Sequence, residues 1–126
     1  GSDYALGMLD GNDKPFDGAK TYKLHIPTNV PVNNFFSLSL YDTQTRCQLQ
    51  TDQIFPTVGS QDKEIKKNAD GSYDLYFGPK APKGKEGNWL QTIPGKSWFS
   101  ILRMYGPLEP WINKTWRPGE IKLVNE

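Results

Sequence analysis

The stretch Ser97-Trp98-Phe99-Ser100-Ile101-Leu102-Arg103-Met104-Tyr105-Gly106-Pro107 constrains the fold of this chain more than any other. Its odd positions carry Phe99, Ile101, Arg103 and Tyr105; its even positions carry Trp98, Ser100, Leu102 and Met104. Both faces are largely apolar, as expected of a strand covered on both sides, and we read it as the central strand of a sheet. Arg103 is the exception. If its face packs inward, the guanidinium requires a carboxylate or several carbonyls, because an unpaired buried charge is very costly. Asp42 and Asp52 are the acids expected to answer it, fastening a long loop to the sheet.

The rest of the chain supplies partners for such a strand. Residues 21–26 alternate, with Tyr22, Leu24 and Ile26 on one face and Lys23 and His25 on the other, and Pro27 stops the run. Residues 35–41 put Phe36, Leu38 and Leu40 on the apolar side and Ser37, Ser39 and Tyr41 opposite. Residues 73–77 put Tyr73, Leu75 and Phe77 inward, after Asn68-Ala69-Asp70-Gly71, the strongest turn signal in the chain and one that favours a tight hairpin. Further strands are expected at residues 4–9, 46–50, 88–93 and 120–124, and a short strand or a single helical turn at 64–67, with strand preferred. Residues 51–61, interrupted by Pro56 and Gly59, read as a long loop, and residues 80–87 as an exposed one. The tail, 108–118, holds Trp111 and Trp116 among prolines and one short helix at 109–112. The expected fold is therefore all-β: a two-layer antiparallel β-sandwich, jelly-roll or Greek-key, with at most one short helix near the C-terminus.

Composition bounds the rest. A length of 126 residues fits one domain over 4–126, with residues 1–3 read as a cloning remnant or disordered start, and room before them for a leader or upstream domain. Twelve glycines, ten prolines and 13% aromatics suit short strands joined by specific turns. Lys+Arg 15 against Asp+Glu 14 leaves a net charge of +1 with no basic block, which disfavours nucleic acid as a main partner. No apolar run reaches membrane-spanning length, so no membrane insertion is expected.

Candidate chemistry is sparse. The single histidine, His25, lies on the polar side of a strand beside Lys23 and reads as a surface residue; the single cysteine, Cys47, reads as a small, partly buried one. Neither suggests a nucleophile with its base. One Cys and one His exclude a zinc site, and Asp10, Asn12, Asp13 and Asp17 fit turns better than a calcium loop, so no metal or cofactor is expected. Asp42, Asp52, Asp74 and Glu109 read as turn and rim carboxylates rather than a glycosidase pair. Trp98 reads as core, Trp89 as a boundary residue, and Trp111 and Trp116 as packing for the tail, with self-association as the other use of the tail tryptophans. The best polar constellation centres on Arg103: Tyr41, Asp42, Asn88, Trp89, Arg103 and Tyr105 are the candidate ligand-binding set, expected as one cluster at the sandwich mouth.

Asp17-Gly18 followed by Tyr22, then Tyr41-Asp42-x-x-Thr45, Asn68-x-Asp70-Gly71-Ser72, Phe77-Gly78-Pro79, Asn88-Trp89-Leu90-Gln91-Thr92 and Arg103-x-Tyr105-x-Pro107 occur in order. This series resembles the bacterial domain of unknown function 1214 over nearly the whole chain, from about Asp17 to Pro118. The resemblance implies a jelly-roll β-sandwich, a bacterial and often exported (periplasmic or secreted) origin, and a place in the C-terminal half of longer proteins, behind a second uncharacterised domain, number 1254. It implies no reaction and no catalytic residues. The resulting expectation is a non-catalytic module that binds a small polar ligand, glycan or protein partner, or supports a neighbouring domain. The alternative is a hydrolase or lyase working through carboxylates and Arg103. Two acids with raised pKa values in one pocket would favour the enzyme.

Overall fold

Alternation along the chain becomes burial in space. In the computed structural model, which describes residues 2–7, 15–28, 30, 32–43, 45, 57–60, 65–112, 118–119 and 121–124, the apolar side of each long strand faces one shared core. The described strands are β1 (Ser2–Gly7), β2 (Phe16–Asp17), β3 (Tyr22–Ile26), β4 (Val32–Asp42), β5 (Thr57–Gly59), β6 (Tyr73–Gly78), β7 (Trp89–Gln91), β8 (Ser97–Pro107) and β9 (Ile121–Leu123). A single helical turn, α1 (Glu109–Ile112), follows β8 where a short helix was expected.

Two sheets stack as a sandwich. One runs β1-β8-β4-β5, with β2 also paired to β8; the other runs β7-β6-β3-β9. β8 is central, flanked by β1 on one side and β4 on the other. Between the sheets lie Phe36, Leu38, Leu40, Trp98, Leu102 and Met104 from the first, and Tyr22, Leu24, Ile26, Leu75, Phe77 and Leu90 from the second. Trp98 anchors an aromatic group, stacked on Phe16 at 4.1 Å and meeting Tyr22 edge-on at 5.5 Å. Such ring contacts add to the area they bury. Trp111 packs against the margin of this core.

Several expectations need correction. The first strand, expected over 4–9, is β1 from Ser2 to Gly7, with Ser2 and Asp3 having ladder partners in Tyr105 and Met104. β5 lies within the expected loop 51–61: Val58 is buried, and the Ser39 and Thr57 hydroxyls bond at 2.8 Å across the β4–β5 pair. A three-residue strand is too short to show alternation. Residues 65–67 belong to no strand, so the turn at 68–71 closes no strand-to-strand hairpin; Gly71 takes φ 88° there, and β6 pairs with β3 and β7 instead. Only Trp89–Gln91 of the expected strand 88–93 is extended, and it runs parallel to β6, so the sandwich is not wholly antiparallel. The expected strand at 46–50 lies outside the described residues.

β8 is not apolar on both sides for the reason the sequence suggested. Trp98, Ser100, Leu102 and Met104 are buried, while Phe99, Ile101, Arg103 and Tyr105 are half-buried on the outer face. Arg103 therefore points away from the core. Asp42 faces Lys96 at 3.3 Å rather than Arg103, and Asp52 lies outside the described residues.

Candidate functional site

β3 and β6 run antiparallel with Lys23, His25, Asp74 and Tyr76 on their outward positions. The register sets His25 directly opposite Asp74 and Lys23 opposite Tyr76. The His25 Nδ1 donates to Asp74 Oδ1 at 2.8 Å, and Lys23 Nζ stands 3.8 Å from Asp74 Oδ2. Asn68 Nδ2 donates to that same Oδ2 at 3.0 Å and also to Ser72 Oγ. Ser72 in turn donates both its backbone N–H and its hydroxyl to Asp70 Oδ1. The turn at 68–71 thus delivers the Asn68 side chain to a carboxylate near the start of β6.

The electrostatics follow from these contacts. Partial burial pushes the Asp74 carboxyl up, but the hydrogen bonds from His25 and Asn68 and the charge of Lys23 together outweigh it and hold it below the usual aspartate value. Asp70 is held low by its two bonds from Ser72. Both carboxylates are stabilised as anions. A histidine braced by a carboxylate is half of a general base, yet the Ser72 hydroxyl is committed to Asp70 rather than to His25. His25, Asn68 and Asp74 as a group were missed by sequence reasoning. The outward placement of His25 and Asp74 was readable, but their pairing depends on strand register.

The six expected residues fall into three places. Tyr41, Arg103 and Tyr105 share the outer face of the five-stranded sheet. There Tyr105 stacks on Phe35 at 4.4 Å and Tyr41 on Phe99 at 5.3 Å, each pair directly opposite in the β4–β8 ladder. Arg103 lies opposite Ser37, next to the Phe35–Tyr105 pair and four residues from Tyr41, about 13 Å along the strand. Asp42 is buried at the end of β4, where it accepts from Lys96 Nζ and from the backbone N–H of Thr45. Asn88 ends a 3-10 turn (Glu86–Asn88) directly before β7, and Trp89 begins β7 in the other sheet. Asn88 is buried and its amide bonds both Lys66 N–H and Lys66 C=O, and Asp74 C=O, so that it substitutes for a strand partner to residues 65–67. Trp89 Nε1 donates to Gly78 C=O at 2.9 Å.

The outer faces of the two sheets differ in chemistry. Lys23, His25, Asp74 and Lys122 make one charged. Phe35, Tyr41, Phe99, Ile101 and Tyr105 make the other largely aromatic and aliphatic, with Ser37, Ser39 and Arg103 among them. No three metal-ligating acids, histidines or cysteines gather among the described residues. No helix among them is long and apolar enough to cross a membrane.

Comparison with known proteins agrees with this architecture. A solved protein from Vibrio parahaemolyticus superposes with a TM-score of 0.83 at 24% identity, over 98% of this chain and 31% of its own. An uncharacterised protein from Burkholderia cenocepacia superposes with a TM-score of 0.60 at 16% identity, over 98% of this chain and 29% of its own. The chain thus spans less than a third of the length of either. No curated protein matches the sequence. The model of the family described as "Protein of unknown function (DUF1214)" matches residues 1–109, and the chain belongs to that family.

Proposed function

We propose that this domain is a non-catalytic β-sandwich module, jelly-roll in its winding and bacterial and exported in origin, that holds a protein partner or neighbouring domain. Its place would be the C-terminal half of a 1254/1214 domain pair. The observation that carries the reading is the engagement of three acids among the described residues: Asp74 is tied to His25 and Asn68, Asp70 to Ser72, and Asp42 to Lys96. The two carboxyl groups that shift both move down, whereas a general acid needs the opposite. A carboxylate–arginine enzyme also finds little support, since Arg103 and Asp42 lie on opposite faces of their sheet.

Small polar ligands and glycans remain in the same class of function, with Tyr41, Arg103 and Tyr105 as the surface that would meet them. Their rings stack on Phe99 and Phe35 rather than standing open as flat platforms, which favours a protein surface as occupant. The test is a thermal-shift screen against glycans, peptides and small organic acids, run beside assays for ester, glycoside and carbon–oxygen bond cleavage. Turnover that survives purification and is abolished by His25→Ala or Arg103→Ala would overturn the reading.

A further inference from the structure

We infer that the outer face of the five-stranded sheet is an interface with the additional polypeptide of a longer protein, a body presenting an apolar surface around one carboxylate that meets Arg103. This rests on the module reading above and names its surface and its partner.

The asymmetry of the two outer faces is the first ground. A sheet face turned permanently to water is expected to alternate polar residues against the buried apolar ones, as the β3–β6 face does with Lys23, His25 and Asp74. The β4–β8 face instead carries two stacked ring pairs, Phe35–Tyr105 and Tyr41–Phe99, with Ile101, the small hydroxyls of Ser37 and Ser39, and a single charge, Arg103, between them. Leu108 and Ile112, 44% and 65% exposed, are the most exposed large apolar side chains among the described residues, and both follow Tyr105 within one short segment. Aromatic-rich surface with an arginine at its centre is the composition that protein interfaces favour.

Charge selects the occupant. A second copy docked about a two-fold axis at Arg103 would bring the two guanidiniums together, a like-charge contact with a desolvation cost. A different body with a carboxylate at that point converts the same residue into a charge-assisted anchor. Length supplies the source: two solved proteins sharing the fold devote 31% and 29% of their chains to it, leaving a far larger body beside the same sandwich.

The experiment compares the 126-residue chain with the gene product that carries it, expressed at whatever length the gene encodes, by hydroxyl-radical footprinting read by mass spectrometry. Phe35, Tyr41, Phe99 and Tyr105 are expected to lose reactivity several-fold in the longer product, while Tyr76 on the charged face keeps its own. Arg103→Glu, introduced into the longer product, should restore the reactivity of those rings and leave the melting temperature of the 126-residue chain unchanged. Equal ring reactivity in the two forms, a gene product no longer than this chain, or a 126-residue dimer dissolved by Arg103→Glu would each overturn the interface. Equal ring reactivity or a dissolved dimer leaves the module reading standing, which falls to catalytic turnover; a gene product no longer than this chain would in addition remove its place in a domain pair.

Discussion

His25 and Asp74 stand directly opposite each other across β3 and β6, joined from Nδ1 to Oδ1 at 2.8 Å, and the carboxylate of the pair also collects Asn68 and Lys23. One acid thereby links two strands to the turn that precedes β6.

Asp74 makes stability depend on acid pH. Its folded-state value lies below the unfolded one, so its contribution is complete above the unfolded value of about 3.8 and is lost as the pH falls through the folded value. Asp74→Asn keeps the shape and removes the charge. At pH 7 it is expected to cost about 1–2 kcal/mol in urea unfolding, and the difference from wild type should shrink progressively below pH 3.8. A cost that stays constant into acid would show that the charge contributes nothing.

Asn88 is a structural clamp. Its amide makes three hydrogen bonds, to the N–H and C=O of Lys66 and the C=O of Asp74, from a buried position. Asn88→Ala leaves those groups unpaired and is expected to destabilise by about 3 kcal/mol, measured by chemical denaturation. Asn88→Asp, which lacks the donor, should fare little better.

Gly18 is required by space. A Cβ there would stand 1.9 Å from the carbonyl oxygen of Ile93 and 2.6 Å from that of Lys96, both backbone atoms, where the Gly18 N–H also bonds Lys96. Gly18→Ala is expected to cost about 3 kcal/mol by forcing the 93–96 turn outward. Gly71→Ala meets nothing within 4 Å and pays only for its φ of +88°, about 1 kcal/mol. Thermal melts of the two variants should separate them clearly.

Trp98 carries an indole N–H that is buried without a hydrogen-bond partner. Trp98→Phe removes that uncompensated donor along with some ring area, so its cost should be about 1–2 kcal/mol. Trp98→Ala, which empties the space among Phe16, Tyr22 and Phe77, should cost about 3–5 kcal/mol. Similar losses for the two variants would mean that the nitrogen, not the ring, is what the core needs.

Much of the sandwich was legible in the chain because period-two alternation is a local property. Tyr22, Leu24 and Ile26, Phe36, Leu38 and Leu40, and Tyr73, Leu75 and Phe77 all face the core as their spacing indicates. The short helix at Glu109–Ile112 was equally readable. β5 was not, since three residues hold too little pattern, and neither was the parallel placement of β7, which depends on how residues 79–88 carry the chain around. The candidate site was legible only in part. Tyr41, Arg103 and Tyr105 do share a face, but Trp89 lies in the opposite sheet and Asn88 in the turn that leads into it.

The amino-acid order by itself determined which side chains along each strand are apolar, where the turns fall, and the family to which the chain belongs. Only the tertiary structure decided which apolar face of β8 meets the second sheet, sending Trp98 and Met104 inward and Arg103 outward. The physical reason is that alternation gives two faces without naming the covered one; that choice is made by the strands that pair on either side and by the single layer available to pack beneath them.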